Sequence, residues 1–274
     1  MRRGAKGGRR RPGMGSTGAS FRYPARMLDA GRAAVVLTSL ALAGGTLLVP
    51  STSSAEPVRV AQARADKIAG LKAAFADKGV PYPAKELLVR SFKKERQLEL
   101  WAGDGKGPLV LVRSWPVCAS SGDLGPKRRQ GDLQVPEGIY RLDKLNPVSS
   151  YHLSLHVDYP NRADRIAGKR EHIGNLGGDI MVHGECVTIG CIPIENDPIE
   201  ELYLAVLDAG LRPPIHIFPA RLDAAVLQSL NVATSDPSVR ELWSDLARVQ
   251  RAFDERRRIP RVVVDAAGRY LVSP

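Results

Sequence analysis

Residues 180–191, Ile-Met-Val-His-Gly-Glu-Cys-Val-Thr-Ile-Gly-Cys, hold the densest group of reactive side chains in the sequence. This stretch places His183 and two of the three cysteines within twelve residues. The apolar pattern of residues 179–182 predicts a short buried strand that ends at His183. A helix with clear start signals is predicted shortly after Cys191. The stretch therefore predicts a strand, a reactive loop and a helix in close succession.

Cys191 and His183 are the candidate catalytic pair. A cysteine nucleophile needs thiolate character and a partner that accepts its proton. His183 lies eight positions before Cys191, and a loop of this length can fold back to bring the two together. Gly190 allows the backbone to approach a substrate carbonyl. Backbone N–H groups near Cys191 are candidates to stabilise an oxyanion, and we assign Gly184, Thr188 and Gly190 to oxyanion or substrate contacts.

Spacing alone leaves two alternatives open. His183, Cys186 and Cys191 have an H-x2-C-x4-C spacing that could bind zinc, although structural zinc sites usually show two tight ligand pairs. A fourth ligand would have to come from elsewhere in the chain: Cys118, His152, His156 or His172. A Cys186–Cys191 disulfide is the other alternative, and it would leave Cys118 as a free, packed thiol.

The surrounding pattern predicts a mainly β fold with flanking helices. Helices are predicted at residues 56–79, after a capping box formed by Asp197 and Glu200, and from Asp236 onward. Strands are predicted at residues 87–92, 97–101, 109–115, 151–157, 179–182 and 215–218, the first three as an antiparallel meander. A small hairpin is predicted from residues 261–264 and 269–272. Residues 122–138 and 160–178 are predicted to be irregular. Because His152 and His156 are four apart, they should share one face of their strand.

The N-terminal segment, residues 1–55, is predicted to be a signal peptide or a membrane anchor. It has a basic region, an apolar run at residues 33–49 and small residues at Ser53 and Ala55 that fit a processing site. The formal charge of the chain is +11, and this segment contributes nine basic residues and one acidic residue. The rest of the chain is therefore close to neutral, which argues against nucleic-acid binding. Membrane contact is expected only through this segment, if it is uncleaved.

Several motifs resemble those of the YkuD-type L,D-transpeptidases, and most closely their YafK-like branch. The strongest is His183-Gly184-x-Cys186-x-x-Ile189-Gly190-Cys191. Other similar pieces occur in the same order along the chain, at residues 122–127, 131–140, 145–151, 159–165, 260–262 and 268–270. The resemblance covers roughly residues 86–274. It implies a β-sandwich-like catalytic domain at residues 86–219, preceded by a helical linker at 56–85 and followed by a helix and hairpin extension at 220–274.

The resemblance also implies a function. Cys191 would attack a carbonyl of a peptidoglycan stem peptide that contains diaminopimelate, and His183 would protonate the departing amine. An amine acceptor or water would then resolve the thioester, without metal or cofactor. Hydrolysis would make the protein an amidase that releases a protein linked to diaminopimelate. Where the wider family has histidine, this chain has Ile189, which bears on the second half of the reaction. The expected location is the periplasm or cell envelope, and the rival class is a non-catalytic zinc- or cell-wall-binding module.

Overall fold

A computed structural model of the chain describes residues 55–273. The predicted signal peptide or anchor lies almost entirely outside the described residues. The elements in chain order are α1 (Val58–Asp77), β1 (Glu86–Phe92), β2 (Gln97–Gly103), β3 (Val110–Pro116), β4 (Gly138–Asn146), β5 (Ser154–Val157), α2 (Arg162–Arg170), β6 (Ile180–His183), β7 (Ile192–Pro193), α3 (Asn196–Ala209), β8 (Pro214–Phe218), α4 (Ala224–Ala233), α5 (Pro237–Arg256), β9 (Val262–Val264) and β10 (Tyr270–Val272).

Eight of the strands form one mixed sheet in the order β3-β2-β1-β8-β4-β5-β6-β7. The predicted meander is confirmed, because β1 pairs antiparallel with β2 and β2 with β3. The mainly β class with flanking helices is confirmed as well. The sandwich-like arrangement takes the form of one continuous curled sheet. Beyond the end of β3, the Cys118 N–H donates to the Pro193 carbonyl of β7 at 3.1 Å, so the two outermost strands are joined at this corner.

The central strands are covered on both faces. Along β1, Leu87 and Val89 belong to the main core, whereas Leu88 packs in a second cluster with Phe253 of α5. Successive side chains of a strand point to opposite faces, so this alternation separates the two layers. Helices α1 and α3 supply buried apolar side chains to the first face. The result is a strand that is buried throughout and shows little polar alternation.

The flanking segments are packed parts of the fold. Helix α1 buries Val60, Leu71 and Phe75 in the main core, so it is a packing helix as well as the predicted helical segment. The C-terminal extension contains the predicted helix and hairpin, and Trp243 of α5 donates from Nε1 to the buried Glu137 at 2.7 Å. The functional division into residues 56–85, 86–219 and 220–274 stays a prediction. None of the helices within residues 55–273 combines the length and apolar content that a membrane span requires.

Two predictions of local structure, one at α2 and one at α3, were wrong. Residues 160–178 contain helix α2, whose start is fixed by a reciprocal capping box between Asn161 and Asp164. The polar composition of this segment concealed the helix because its stability depends on this cap and on burial of its Ala residues. The predicted Asp197–Glu200 capping box is absent, since α3 begins at Asn196 after Glu195 and has no side-chain cap. Glu200 instead accepts a hydrogen bond from His152 at 2.7 Å.

Candidate active site

The register of β6 and β7 brings the candidate base and nucleophile to one face of the sheet. Val182 pairs with Ile192 in this parallel ladder, so Cys191 lies beside Met181. Because side chains alternate along a strand, Cys191 shares its face with Met181 and His183. Strand spacing and rise place the Cα atoms of Cys191 and His183 about 8 Å apart, a separation that Cys and His side chains can bridge.

His183 is buried and held in one tautomer. It is 1% exposed, and its Nδ1–H donates to the Gly184 carbonyl at 2.5 Å. A carbonyl can only accept, so Nδ1 carries the proton and Nε2 of the neutral ring is left as an acceptor. Burial lowers the pKa of His183, against a smaller opposing effect of the Gly184 hydrogen bond. The imidazole is therefore neutral at rest and is able to accept a proton.

Cys191 is a free thiol in a half-buried position. Burial raises the pKa of Cys191, and a hydrogen bond from the Met181 N–H and the charge of Lys127 oppose this rise. The Sγ atom lies 3.7 Å from the Asp179 carbonyl, which can accept its weak S–H bond. The resting group is therefore a thiol, and it needs a base at the moment of attack.

The loop between the two residues is ordered by its own polar groups. Thr188 Oγ1 donates to the Cys191 carbonyl at 2.8 Å and accepts from the Gly190 N–H at 3.1 Å. Gly190 has a φ of 135°, and a Cβ there would lie 3.1 Å from the Gln134 carbonyl. Both facts require glycine at the position before Cys191.

The backbone N–H groups of Gly184 and Gly190 are already hydrogen-bonded within the protein. The Gly184 N–H donates to the Tyr151 and Leu153 carbonyls at 3.2 Å each, and the Gly190 N–H is bound to Thr188. A Cβ on Gly184 would also lie 2.4 Å from Asn196 Oδ1. These residues therefore shape the backbone around the thiol, and an oxyanion role for their N–H groups would need these bonds to be exchanged.

A second loop covers His183. The Tyr151 ring lies 4.8 Å from the His183 ring between centroids, at an interplanar angle of 34°. Arg59 of α1 donates from Nη1 to the Ser149 carbonyl at 2.5 Å and to the His152 carbonyl at 2.7 Å. Helix α1 thus holds the loop whose tyrosine shields the candidate base.

The cysteine pairing differs from the alternatives that spacing left open. Cys118 and Cys186 form a disulfide with Cα atoms 5.5 Å apart, so Cys118 is neither a free packed thiol nor a zinc ligand. The pairing joins residues far apart in sequence, and spacing alone could not identify it. In the described part of the chain, the group of potential ligands that comes together is Cys118, Cys186 and Glu195, whose two sulfurs are in this bond. The His183, Cys186 and Cys191 zinc set is not assembled.

The remaining histidines lie outside the candidate catalytic pair. His152 is in a turn with φ of 67°, so it does not share a strand with His156, contrary to the prediction. His156 donates from Nδ1 to Asp143 at 2.6 Å. His172 follows α2 and is exposed.

The irregular segment 122–138 contributes contacts that the sequence did not assign. Lys127 is 5% exposed, forms an ion pair with Asp132 at 2.6 Å, and still influences the Cys191 thiol through its charge. The Gln134 carbonyl packs against Gly190. The family-like motifs at residues 122–127 and 131–140 contain Lys127 and Gln134, so these motifs were the sequence signal for this role.

Comparison with known proteins identifies the same family as the motifs. The L,D-transpeptidase catalytic domain, YkuD, matches residues 86–217. YafK of Escherichia coli (strain K12), which carries the L,D-transpeptidase name provisionally, is 34% identical over 191 residues, or 68% of this chain and 73% of YafK.

Two solved structures are more distant. The helical cell shape determining protein Pgp2 from Campylobacter jejuni is 18% identical, covers 70% of this chain and 79% of its own, and has a TM-score of 0.42. Bd1075 from Bdellovibrio bacteriovorus is 24% identical, covers 51% of this chain and 50% of its own, and has a TM-score of 0.35.

Proposed function

Because this chain belongs to the L,D-transpeptidase family, whose catalytic domain is YkuD, we propose that it is a cysteine-dependent acyltransferase of the cell envelope. Its substrates would be peptidoglycan stem peptides that contain diaminopimelate, and Cys191 would carry the acyl group. The observation that supports this most strongly is the neutral, buried His183 with its Nδ1–H fixed on Gly184. A ring held in this way keeps Nε2 unprotonated, as the acceptor that the Cys191 proton needs.

The first half of the proposed reaction forms a thioester. His183 Nε2 accepts the Cys191 proton as Sγ attacks the stem-peptide carbonyl. The negative charge on the carbonyl oxygen is stabilised by backbone N–H groups around Cys191. The C–N bond then breaks, the amine takes the proton from His183, and the acyl group stays on sulfur. Because the thiol and the imidazole are both neutral at rest, proton transfer accompanies the attack.

The second half resolves the thioester. An amine from a second stem peptide attacks, loses its proton to His183 and leaves joined peptides, while Cys191 regains its thiol. Transpeptidation is the first candidate because it is the reaction for which the family is named. Hydrolysis is the second candidate, favoured by Ile189, whose 78% exposed side chain stands where the wider family has histidine. A hydrolase of this kind would release a protein linked to diaminopimelate.

We place the enzyme in the periplasm or cell envelope, exported by the signal in residues 1–55. The Cys118–Cys186 disulfide supports this location, because disulfides persist in oxidising compartments. The proposal needs no metal or organic cofactor. The non-catalytic zinc-binding alternative loses support, since Cys186 is paired with Cys118 instead of pointing its sulfur to a ligand set with His183.

Product analysis tests the proposal. The protein without residues 1–55 is incubated with diaminopimelate-containing muropeptides, with and without a linked lysine peptide, and the products are weighed by mass spectrometry. Joined peptides indicate transpeptidation, and free tetrapeptide from the conjugate indicates hydrolysis. We expect Cys191→Ala and His183→Gln to abolish both, with a loss of at least about 10³-fold, because each removes a member of the nucleophile and base unit.

The exposed His172 provides the matched control. His172→Gln makes the same substitution outside the site, and we expect it to retain full activity. Turnover by the Cys191→Ala variant would rule out the assignment of the nucleophile.

A further inference from the structure

The Cys118–Cys186 disulfide is attached to the loop that carries the candidate catalytic residues. Cys186 lies inside the loop that connects His183 to Cys191, and Cys118 follows strand β3 at the opposite edge of the sheet. The bond spans 68 positions of sequence. It therefore ties the candidate catalytic loop to the segment that follows β3, which is distant in sequence.

Cys118 contacts both arms of this loop. Its N–H donates to the Pro193 carbonyl at 3.1 Å, two residues after Cys191. Its Sγ atom lies 3.5 Å from the Glu185 carbonyl, two residues after His183. One residue thus holds the chain on the side of the base and on the side of the nucleophile, and the covalent bond fixes the loop between them.

The backbone of this loop and of the segment after β7 needs such support. Glu185 has a φ of 60° and Glu195 a φ of 66°, both in the left-handed region that non-glycine residues rarely adopt. Residues of this kind keep their conformation only when the surrounding structure determines it. Glu185 directly precedes Cys186, and a Glu195 carboxylate oxygen lies 3.7 Å from Cys186 Sγ. The disulfide is therefore attached at the strained part of the loop.

We propose that the Cys118–Cys186 disulfide is a positioning clamp for the nucleophile, which keeps Cys191 half-buried beside β6 at its fixed distance from His183. Cys118 and Cys186 are positioning residues and take no part in the chemistry. Pairing also occupies Cys186, so that the one thiol left free among the described cysteines is Cys191. The inference rests on the proposed function only in naming Cys191 the nucleophile.

Alkylation tests the clamp without any peptidoglycan substrate. Wild type and a Cys118→Ser/Cys186→Ser double variant both contain Cys191 as their single free thiol, so iodoacetamide reports on that residue alone. We expect the double variant to react about tenfold faster at pH 8, with the midpoint of its pH–rate profile shifted downward. Burial raises the pKa of Cys191 in the clamped protein, and a released loop exposes the thiol to water.

A matched control separates loop release from general loss of stability. Leu246→Ala removes a fully buried side chain from the cluster around the C-terminal extension, and we expect this folded variant to keep the wild-type alkylation profile. An unchanged or slower profile in the folded double variant would overturn the clamp. The same holds if the profile of Leu246→Ala shifts as far as that of the double variant.

Reduction of the wild type gives a second measurement. The protein is treated with a phosphine reductant while labelling of Cys191 is followed by peptide mapping and the fold by circular dichroism. Accelerated labelling of Cys191 with an unchanged spectrum supports the clamp. Loss of the folded spectrum upon reduction would make the disulfide a global stabiliser and would overturn the local role. Because neither measurement involves turnover, failure of the clamp and failure of the proposed enzyme activity remain distinguishable.

Discussion

The loop from His183 to Cys191 and the Asp245 cluster of the C-terminal extension are ordered in opposite ways. Asp245 is 1% exposed, and its carboxylate accepts hydrogen bonds from Arg269 Nε at 2.8 Å and the Tyr270 N–H at 2.9 Å, with Arg248 as a further donor. The buried carboxylate of that cluster therefore has several hydrogen-bond donors. At Cys191, by contrast, the thiol has a 3.7 Å contact with the Asp179 carbonyl and a neutral imidazole on the same face.

The difference separates stability from reactivity. Polar groups whose hydrogen bonds are all made within the protein stabilise the fold, and they have no free donor or acceptor for a substrate. The loop instead takes its order from glycine geometry, Thr188 and the disulfide, and leaves Sγ and Nε2 available. Changes in the extension should therefore alter stability without changing Cys191, and changes in the loop should do the reverse.

The largest effect on stability at constant pH is expected at Asp245. Replacement by Ala leaves the buried Tyr270 N–H and the Arg269 guanidinium without their acceptor, so we expect the free energy of unfolding to fall by about 3 kcal/mol. Chemical denaturation measures this loss. Glu241→Ala is the matched control, because it removes a 3.7 Å exposed pair with the same Arg269 and should cost less than about 0.5 kcal/mol. A faster or slower alkylation of Cys191 in the folded Asp245→Ala variant would contradict the separation.

A smaller effect, on activity, is expected at Gly190. Alanine there has to adopt φ of 135° with its Cβ 3.1 Å from the Gln134 carbonyl, so the loop must shift. We expect Gly190→Ala to slow thioester formation about 100-fold, which corresponds to roughly 2.7 kcal/mol of barrier. Gly174→Ala is the control, since a Cβ there meets nothing within 4 Å and its φ is not in the left-handed region. Equal rates for the two variants would argue against a geometric role for Gly190.

A pH dependence of stability is expected from Asp164. Burial raises the pKa of Asp164 to about 7, so the folded protein holds this proton more tightly than the unfolded chain. Its contribution to stability is present below the unfolded pKa near 4 and is lost as the pH rises to about 7. We therefore expect the stability of the wild type to fall relative to Asp164→Asn between pH 4 and 7, and to level off above that range. Denaturation of both proteins across pH measures it, and parallel curves would contradict the raised pKa.

The sequence predicted those elements of the fold whose signals lie within a few neighbouring residues. The meander, the helix after Asp236 and the final hairpin follow from apolar alternation, an N-cap and turn residues. Helix α2 was missed because its mean polarity conceals a short helix that relies on the Asn161 and Asp164 cap. Strand β7 has two residues and is defined by its pairing with β6, so no local pattern could predict it.

The candidate site was only partly predictable for the same reason. His183 and Cys191 stand out by residue type and spacing, and the family motif adds their expected roles. The disulfide partner of Cys186 could not be deduced, because Cys118 reaches it only when the curled sheet brings β3 and β7 together. The contacts of Tyr151 with His183 and of Gln134 with Gly190 depend on loops from other parts of the chain.

Intact mass of the acylated protein tests the central claim most directly. Wild-type protein is mixed with a stem peptide that contains diaminopimelate, quenched in acid and weighed, and the adduct is located by peptide mapping. We predict a mass increase equal to the acyl fragment, carried by Cys191 and absent from Cys191→Ala. An adduct of the same mass on the Cys191→Ala protein, or turnover of the peptide by that variant, would contradict the assignment.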